Sequence, residues 1–192
     1  MTRQGRRLGD LDRDALVGTG SARRDVLIRE MRPDLRVVSI RGNVDTRLRK
    51  LAAGEVDALV LAVAGLIRLG RQEVITETLP PDVFVPAPGQ GALAIQIRAE
   101  DRRVGEVVAA LDDPPTRLAV EVERLFTESV GGGCRLPVGA YSVARDGRLT
   151  LIGMVFHGRP VRVRVEGSVS EGGALALQAA QSINAAAGVG DR

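Results

Sequence analysis

The sequence predicts an α/β chain in two parts: a domain built on a parallel or mixed sheet, then a small α+β domain with an antiparallel three-stranded sheet. Three observations carry that prediction. Apolar runs at 15–18, 36–40 and 57–63 each break into a small-residue loop and then into helical spacing, the rhythm of a parallel sheet. Asp112-Asp113-Pro114-Pro115 stops one helix and primes the next, which marks a boundary. Beyond it, two strand-like runs meet at Arg145-Asp146-Gly147, and Val161-Arg162-Val163-Arg164-Val165-Glu166 alternates strictly, as a strand with one wet face does.

Taken in order, residues 1–13 are polar and rich in Arg and Asp, and read as a ragged lead-in. Ala15-Leu16-Val17-Gly18 forms a strand that breaks at Thr19-Gly20-Ser21, and Val26, Leu27, Ile28 and Met31 space a helix ended by Pro33. Ser21 suits the N-cap, which sets Arg23 and Arg24 in the first turn. The helix dipole disfavours cations there and favours an anion, so the arginine pair hints at ligand charge. The pattern repeats with a strand at 36–40, a loop at 41–46 and a helix at 47–53 closed by Gly54. The third run, 57–63, is apolar on both faces and reads as a central parallel strand leading into 64–70. Loops that follow parallel strands gather at the carboxyl edge of the sheet, where ligands bind. Arg23, Arg24, Arg41, Arg47 and Arg68 are therefore expected to line one crevice, suited to an oligo-carboxylate or a phosphate. A nucleotide is disfavoured, because these turns hold neither a P-loop nor a G-x-G-x-x-G fingerprint.

Pro80-Pro81 breaks the next segment, and residues 83–92 read as an extended strand entering a rigid Pro/Gly loop with Gln90 at its tip. A strand at 94–97 and a helix at 101–111 follow, the helix with Val104, Val107, Val108 and Leu111 on one side. After the boundary, an amphipathic helix at 115–130 delivers the chain to Gly131-Gly132-Gly133-Cys134. Strands at 138–144, 149–156 and 161–166 and an Ala-rich helix at 174–187 complete the α+β unit. The expected domains are a lead-in at 1–13, an α/β ligand-binding domain at 14–91, a segment at 92–112 and an α+β domain at 113–192.

Composition narrows the function. A chain of 192 residues with 44% apolar residues can bury a core. One cysteine suits a reducing compartment rather than a disulfide-stapled secreted fold. The opening residues carry no apolar signal-peptide stretch, and no run approaches the roughly 18 apolar residues of a membrane span. The cytoplasm is the expected location, with no membrane partner. The excess of 27 basic over 24 acidic residues is too slight for a nucleic-acid coat, and 2% aromatics leave almost no stacking platforms. Lys50 is the only lysine, so nearly all the positive charge is guanidinium, whose fork grips carboxylate or phosphate bidentately. It lies on a helix face with no sign of a pocket, which argues against Schiff-base chemistry.

Cys134 cannot form an internal disulfide. Three glycines before it clear space for a bulky group, and Arg135 beside it can stabilise a thiolate or bind an anion. The bland alternative is a small buried hydrophobe in a glycine-rich turn. His157, the only histidine, reads as a turn residue beside Gly158, and no second ligand supports a metal.

Laid side by side, VGTGSARR at 17–24, IRGNVDTRL at 40–48, DALVLAVAGLIRLG at 57–70, PAPGQGALAI at 86–95 and GGGCRLPVGAY at 131–141 resemble the porphobilinogen deaminase (hydroxymethylbilane synthase) family, in the family's order. The resemblance implies a periplasmic-binding-protein-like fold for the first domain. It also implies a transferase that condenses four porphobilinogens, with loss of ammonia, on a dipyrromethane cofactor held by Cys134 through a thioether. Ser21, Arg23, Arg24, Arg41, Arg47 and Gln90 fall on cofactor-binding positions, and Arg23, Arg41, Arg47 and Arg68 on substrate-binding ones. In that family a domain ahead of the Val17 motif supplies the catalytic aspartate. No aspartate here has the matching surroundings, so no catalytic residue is assigned. The resemblance makes 92–112 the return segment of that absent domain, with apolar surface left exposed, and a separate amino-terminal chain a candidate partner. Family members are usually monomeric. Gly20 stands where the family usually has a serine, and Asp45 where it usually has a small residue. The implied activity is hydroxymethylbilane synthesis in the tetrapyrrole and haem pathway, negligible in the lone chain. The alternative is a non-catalytic module that keeps the arginine crevice for another carboxylate or phosphate.

Overall fold

The computed structural model describes residues 1–131 and 137–188, so the Cys134 expectation falls outside the described residues. The chain divides into two compact units, Met1–Phe84 and Val85–Arg192.

The first unit holds a three-stranded parallel sheet in the order β2-β1-β3, with β1 at Leu16–Thr19, β2 at Arg36–Ser39 and β3 at Ala58–Leu59. Helix α1, Ala22–Met31, starts where Ser21 Oγ accepts the Arg24 N–H at 3.4 Å, and it buries Leu27 and Ile28 completely. Helix α2, Val44–Ala52, begins three residues before the expected position. Asn43 Oδ1 accepts the Thr46 N–H at 2.9 Å, and this cap draws part of the expected loop into the helix.

The third run departs further from expectation. Only Ala58 and Leu59 pair with β1, and Val63–Arg68 is already helix α3. The strand lies at the edge of the sheet rather than its centre. Its apolar character comes from packing, since Val56, Leu59 and Leu66 share a core with Ile40, Leu48 and Leu51. The lead-in is not ragged. Thr2 bridges Ala58, Leu8 and Leu11 are buried, and the Leu8 N–H donates to Glu77 Oε2 at 2.8 Å. Arg32 clamps the same segment by donating to the carbonyls of Leu8, Gly9 and Leu11 at 2.7–2.9 Å, while Asp34 holds its guanidinium at 2.7 and 2.8 Å.

In the second unit, α4 spans Arg102–Ala109 and α5 Pro114–Ser129. The antiparallel sheet β4-β5-β6 follows, at Val138–Arg145, Arg148–His157 and Arg159–Ser168, with α6 at Gly172–Ala187. Asp113 caps α5 through the Thr116 N–H at 2.9 Å, and Pro114 and Pro115 occupy its first turn. Asp146 and Gly147 both take positive φ, 52° and 73°, which a two-residue hairpin requires. Phe126, Val122, Leu149, Leu151, Ala176, Ala179 and Ile183 form the core between the helices and one face of the sheet. On β6 the valines 161, 163 and 165 pack toward that core, while Arg162, Arg164 and Glu166 are exposed. Phe126 lies so close to Gly153 that a Cβ there would overlap its ring.

One expectation fails in this unit. Residues 94–97 form no strand and are exposed, and among the described residues no strand pairs with them. The compact division of the chain falls between 84 and 85. Val85 and the loop after it are fastened to β4, the Ala140 N–H donating to the Pro86 carbonyl at 2.9 Å, and a Cβ on Gly139 would lie only 3.0 Å from Val85.

Candidate functional site

The carboxyl ends of β1, β2 and β3 lead into 20–21, 40–43 and 60–62, so the loops that follow them emerge at one edge of the sheet. The ladder extends to that edge through the Ile40 N–H on Thr19 O and the Val60 N–H on Gly18 O. Ser21 is fixed from both sides: its N–H meets Thr19 Oγ1 at 3.2 Å, and its Oγ caps α1. As the cap the hydroxyl accepts, and its own proton can be donated elsewhere.

Three guanidinium groups come together here. Arg23 is only 7% exposed. Burial, then the like charge of Arg24, pulls its pKa down to about 10. Arg24 donates to the Val60 carbonyl at 2.9 Å, and burial followed by the charge of Arg47 lowers its pKa as well. Arg47, on α2, donates from Nε to the Gly42 carbonyl at 2.8 Å. Its guanidinium lies over the β1–α1 turn, where a Cβ on Gly20 would sit 3.7 Å from one terminal nitrogen and 3.1 Å from the Ile40 carbonyl. Gly20 therefore leaves room chiefly for the Ile40 carbonyl, a Cβ there being in ordinary contact with Arg47.

Burial and the like charge of Arg24 both work against the charged form of Arg23, and an anion placed beside it would oppose both effects. Carboxylates accept the guanidinium fork bidentately, and the α1 amino terminus adds favourable potential. The arrangement is chemically suited to acids.

The other expected residues are placed differently. Arg41 is exposed directly after β2. Arg68 is exposed in the last turn of α3. Gln90 is exposed in a turn of the second unit, between Gly89 and Gly91 at φ 67° and 102°. Cys134 lies outside the described residues. Asp45 is exposed in the first turn of α2, where the helix dipole favours a carboxylate.

One functional group escaped the sequence reading. Glu123, on the core face of α5 beside Val122 and near Phe126, is 6% exposed. Its Oε2 accepts the Gly89 N–H at 2.6 Å and its Oε1 the Ser142 N–H at 2.7 Å, while burial pushes its carboxyl up from the usual range. The available signal was an acid at a helix position whose neighbours are core.

Comparison with known proteins agrees with this chemistry. Residues 1–106 match the family model described as porphobilinogen deaminase, dipyromethane cofactor binding domain, and residues 117–183 match porphobilinogen deaminase, C-terminal domain. The porphobilinogen deaminase of Roseiflexus castenholzii is 48% identical over 186 residues, covering 96% of this chain and 61% of its own length. That of Syntrophobacter fumaroxidans is 48% identical over 81% of this chain and 50% of its own, and that of Brevibacillus brevis 44% identical over 100% and 62%. The chain thus spans between half and two thirds of the length of these curated relatives. With a family model covering more than half of its residues and relatives this similar along its length, the chain belongs to the porphobilinogen deaminase family.

Proposed function

We propose that this chain is the cofactor- and substrate-holding portion of a hydroxymethylbilane synthase, the transferase that condenses four porphobilinogens with loss of ammonia in tetrapyrrole and haem biosynthesis. The observation that carries the reading is the cluster of like charges formed by buried Arg23 with the half-buried Arg24 and Arg47, in a stretch that matches the dipyrromethane cofactor-binding domain. A dipyrromethane fits that donor set, because its acid side chains can accept a guanidinium fork bidentately. Attached at Cys134, the cofactor supplies a covalent primer that makes condensation effectively intramolecular.

The chain's own residues bind and orient. Arg23 and Arg24 hold acid groups at the α1 amino terminus, Ser21 offers a hydroxyl proton beside them, and Arg47 closes over the Gly20 turn. Arg41, Arg68 and Gln90 serve the incoming pyrrole or the lengthening product. No aspartate of the chain is assigned to ammonia loss. The activity therefore draws on residues beyond these 192, as the greater length of the relatives allows. A thiol that must stay reduced until alkylated suits the reducing cytoplasm.

Mass spectrometry of the chain coexpressed with porphobilinogen-forming enzymes tests the reading. A two-pyrrole increment on Cys134 is expected. An unmodified thiol favours a non-catalytic carboxylate- or phosphate-binding module. Bilane formation by the purified lone chain at an ordinary enzyme rate overturns the requirement for a second portion.

A further inference from the structure

We infer that Glu123 is a positioning residue, a buried carboxylate latch that fixes the loop carrying Gln90 against the two arms from which the Cys134 loop springs. Three segments meet at this one carboxylate. Helix α5, which carries Glu123, ends at Ser129 just before the cysteine loop, and β4, which supplies the Ser142 N–H, starts at Val138 just after it. The Gly89 N–H comes from the Pro86–Gly91 loop. Each oxygen takes one backbone donor, at 2.6 and 2.7 Å, so neither segment can shift without breaking a short charge-assisted bond.

The surroundings are built for close approach. Gly139 leaves room for Val85 and Pro86 on β4, the Ala140 N–H donates to Pro86 O, and Val120 of α5 lies against Gly89. Ser142 Oγ adds a bond to the Ala119 carbonyl at 2.8 Å, pinning β4 to the same helix. Any hydrophobic residue would fill the space, but only an acceptor-only group with two oxygens satisfies both N–H donors. The functional consequence rests on the proposed roles of Gln90 and Cys134: the latch sets how the Gln90 turn faces whatever the cysteine carries.

Hydrogen exchange followed by mass spectrometry on Glu123→Gln tests the latch without any ligand. The amide keeps the size but turns a donor toward one of the two N–H groups, so peptides covering 86–92 and 140–143 should exchange about tenfold faster while β5, β6 and α6 are unchanged. Ser142→Ala, which keeps the backbone N–H facing Glu123, should leave 86–92 protected. If Glu123→Gln does not fold, Glu123→Asp, one methylene too short to reach both donors, should loosen the same two peptides selectively. Uniform loosening of the whole second unit, or none, overturns the assignment. Mass measurement on the same samples should show about tenfold less cofactor on Cys134 in Glu123→Gln than in wild type, and full loading of the variant also overturns it. A wild-type chain that takes up no cofactor sinks the functional reading instead, and the exchange data still judge the latch.

Discussion

At the scale of single residues, the arginine cluster trades stability for binding. Arg47 adds like charge beside Arg24, whose pKa is already lowered by burial. Arg47→Leu removes that repulsion at the expense of one exposed hydrogen bond to Gly42, so the unliganded first unit should melt no lower than wild type. Citrate, a simple oligo-carboxylate, should raise the wild-type melting temperature and bind the variant at least about tenfold more weakly. Equal protection of both proteins by citrate contradicts the assignment of Arg47. Asp34 makes a separate prediction. Its bonds to Arg32 hold its carboxyl down to about 2 from 3.8, so its stabilising effect is fully present above 3.8 and is lost as pH falls through about 2. Protection of the amides at 8–11, the segment Arg32 clamps, measured against their intrinsic exchange rate at each pH, should therefore fall across that window in wild type. In Asp34→Asn it should already be lower at neutral pH and show no acid step.

At the scale of elements, the tightest fit is α5 on the sheet. A Cβ on Gly153 would overlap the fully buried ring of Phe126, so Gly153→Ala should destabilise the second unit by about 1–3 kcal/mol in urea unfolding followed by circular dichroism. Phe126→Leu in the same chain should recover part of that loss, giving a double variant less destabilised than the sum of the two, whereas strict additivity denies the contact. Elements with local causes were legible in the sequence: the Asp-Gly hairpin, the Asp113-Pro114-Pro115 start of α5, the Ser21 cap and the alternation of β6. The Asn43 cap was equally local but unread, and it moved the start of α2. Non-local causes were not legible. An apolar run at 57–63 looks the same whether one strand or two will flank it, and only Ala58 and Leu59 found a ladder. Among the site residues, the arginines announced themselves by recurring after strands. Glu123 did not, because its partners are backbone N–H groups 34 and 19 residues away.

At the scale of the whole molecule, the stretch from 92 to 111 bears on what the chain is a part of. Leu93, Ile95, Val107 and Leu111 are 74%, 55%, 69% and 68% exposed, far more apolar exposure than scattered surface residues need. On α4 and the turn after it, Val104, Val107 and Leu111 fall at helical spacing and Ile97 packs near Gly105, so the apolar groups form a stripe rather than isolated points. No helix among the described residues is long and apolar enough to cross a membrane, and the stripe is too short and too interrupted by arginine and glutamate to serve as one. Its proposed occupant is the amino-terminal portion on which the proposed activity depends; the relatives are longer than this chain. In the absence of that portion, the purified chain should self-associate with rising concentration, measured by size-exclusion chromatography with light scattering. Val107→Glu with Leu111→Glu should keep it monomeric without altering its unfolding, since both side chains are already largely in solvent. When the amino-terminal portion of the Roseiflexus castenholzii relative is added as a separate chain, turnover of porphobilinogen should appear with the wild-type chain and be lost with the double glutamate variant. Equal turnover with both would remove the apolar stripe from the interface and leave its exposure without a function.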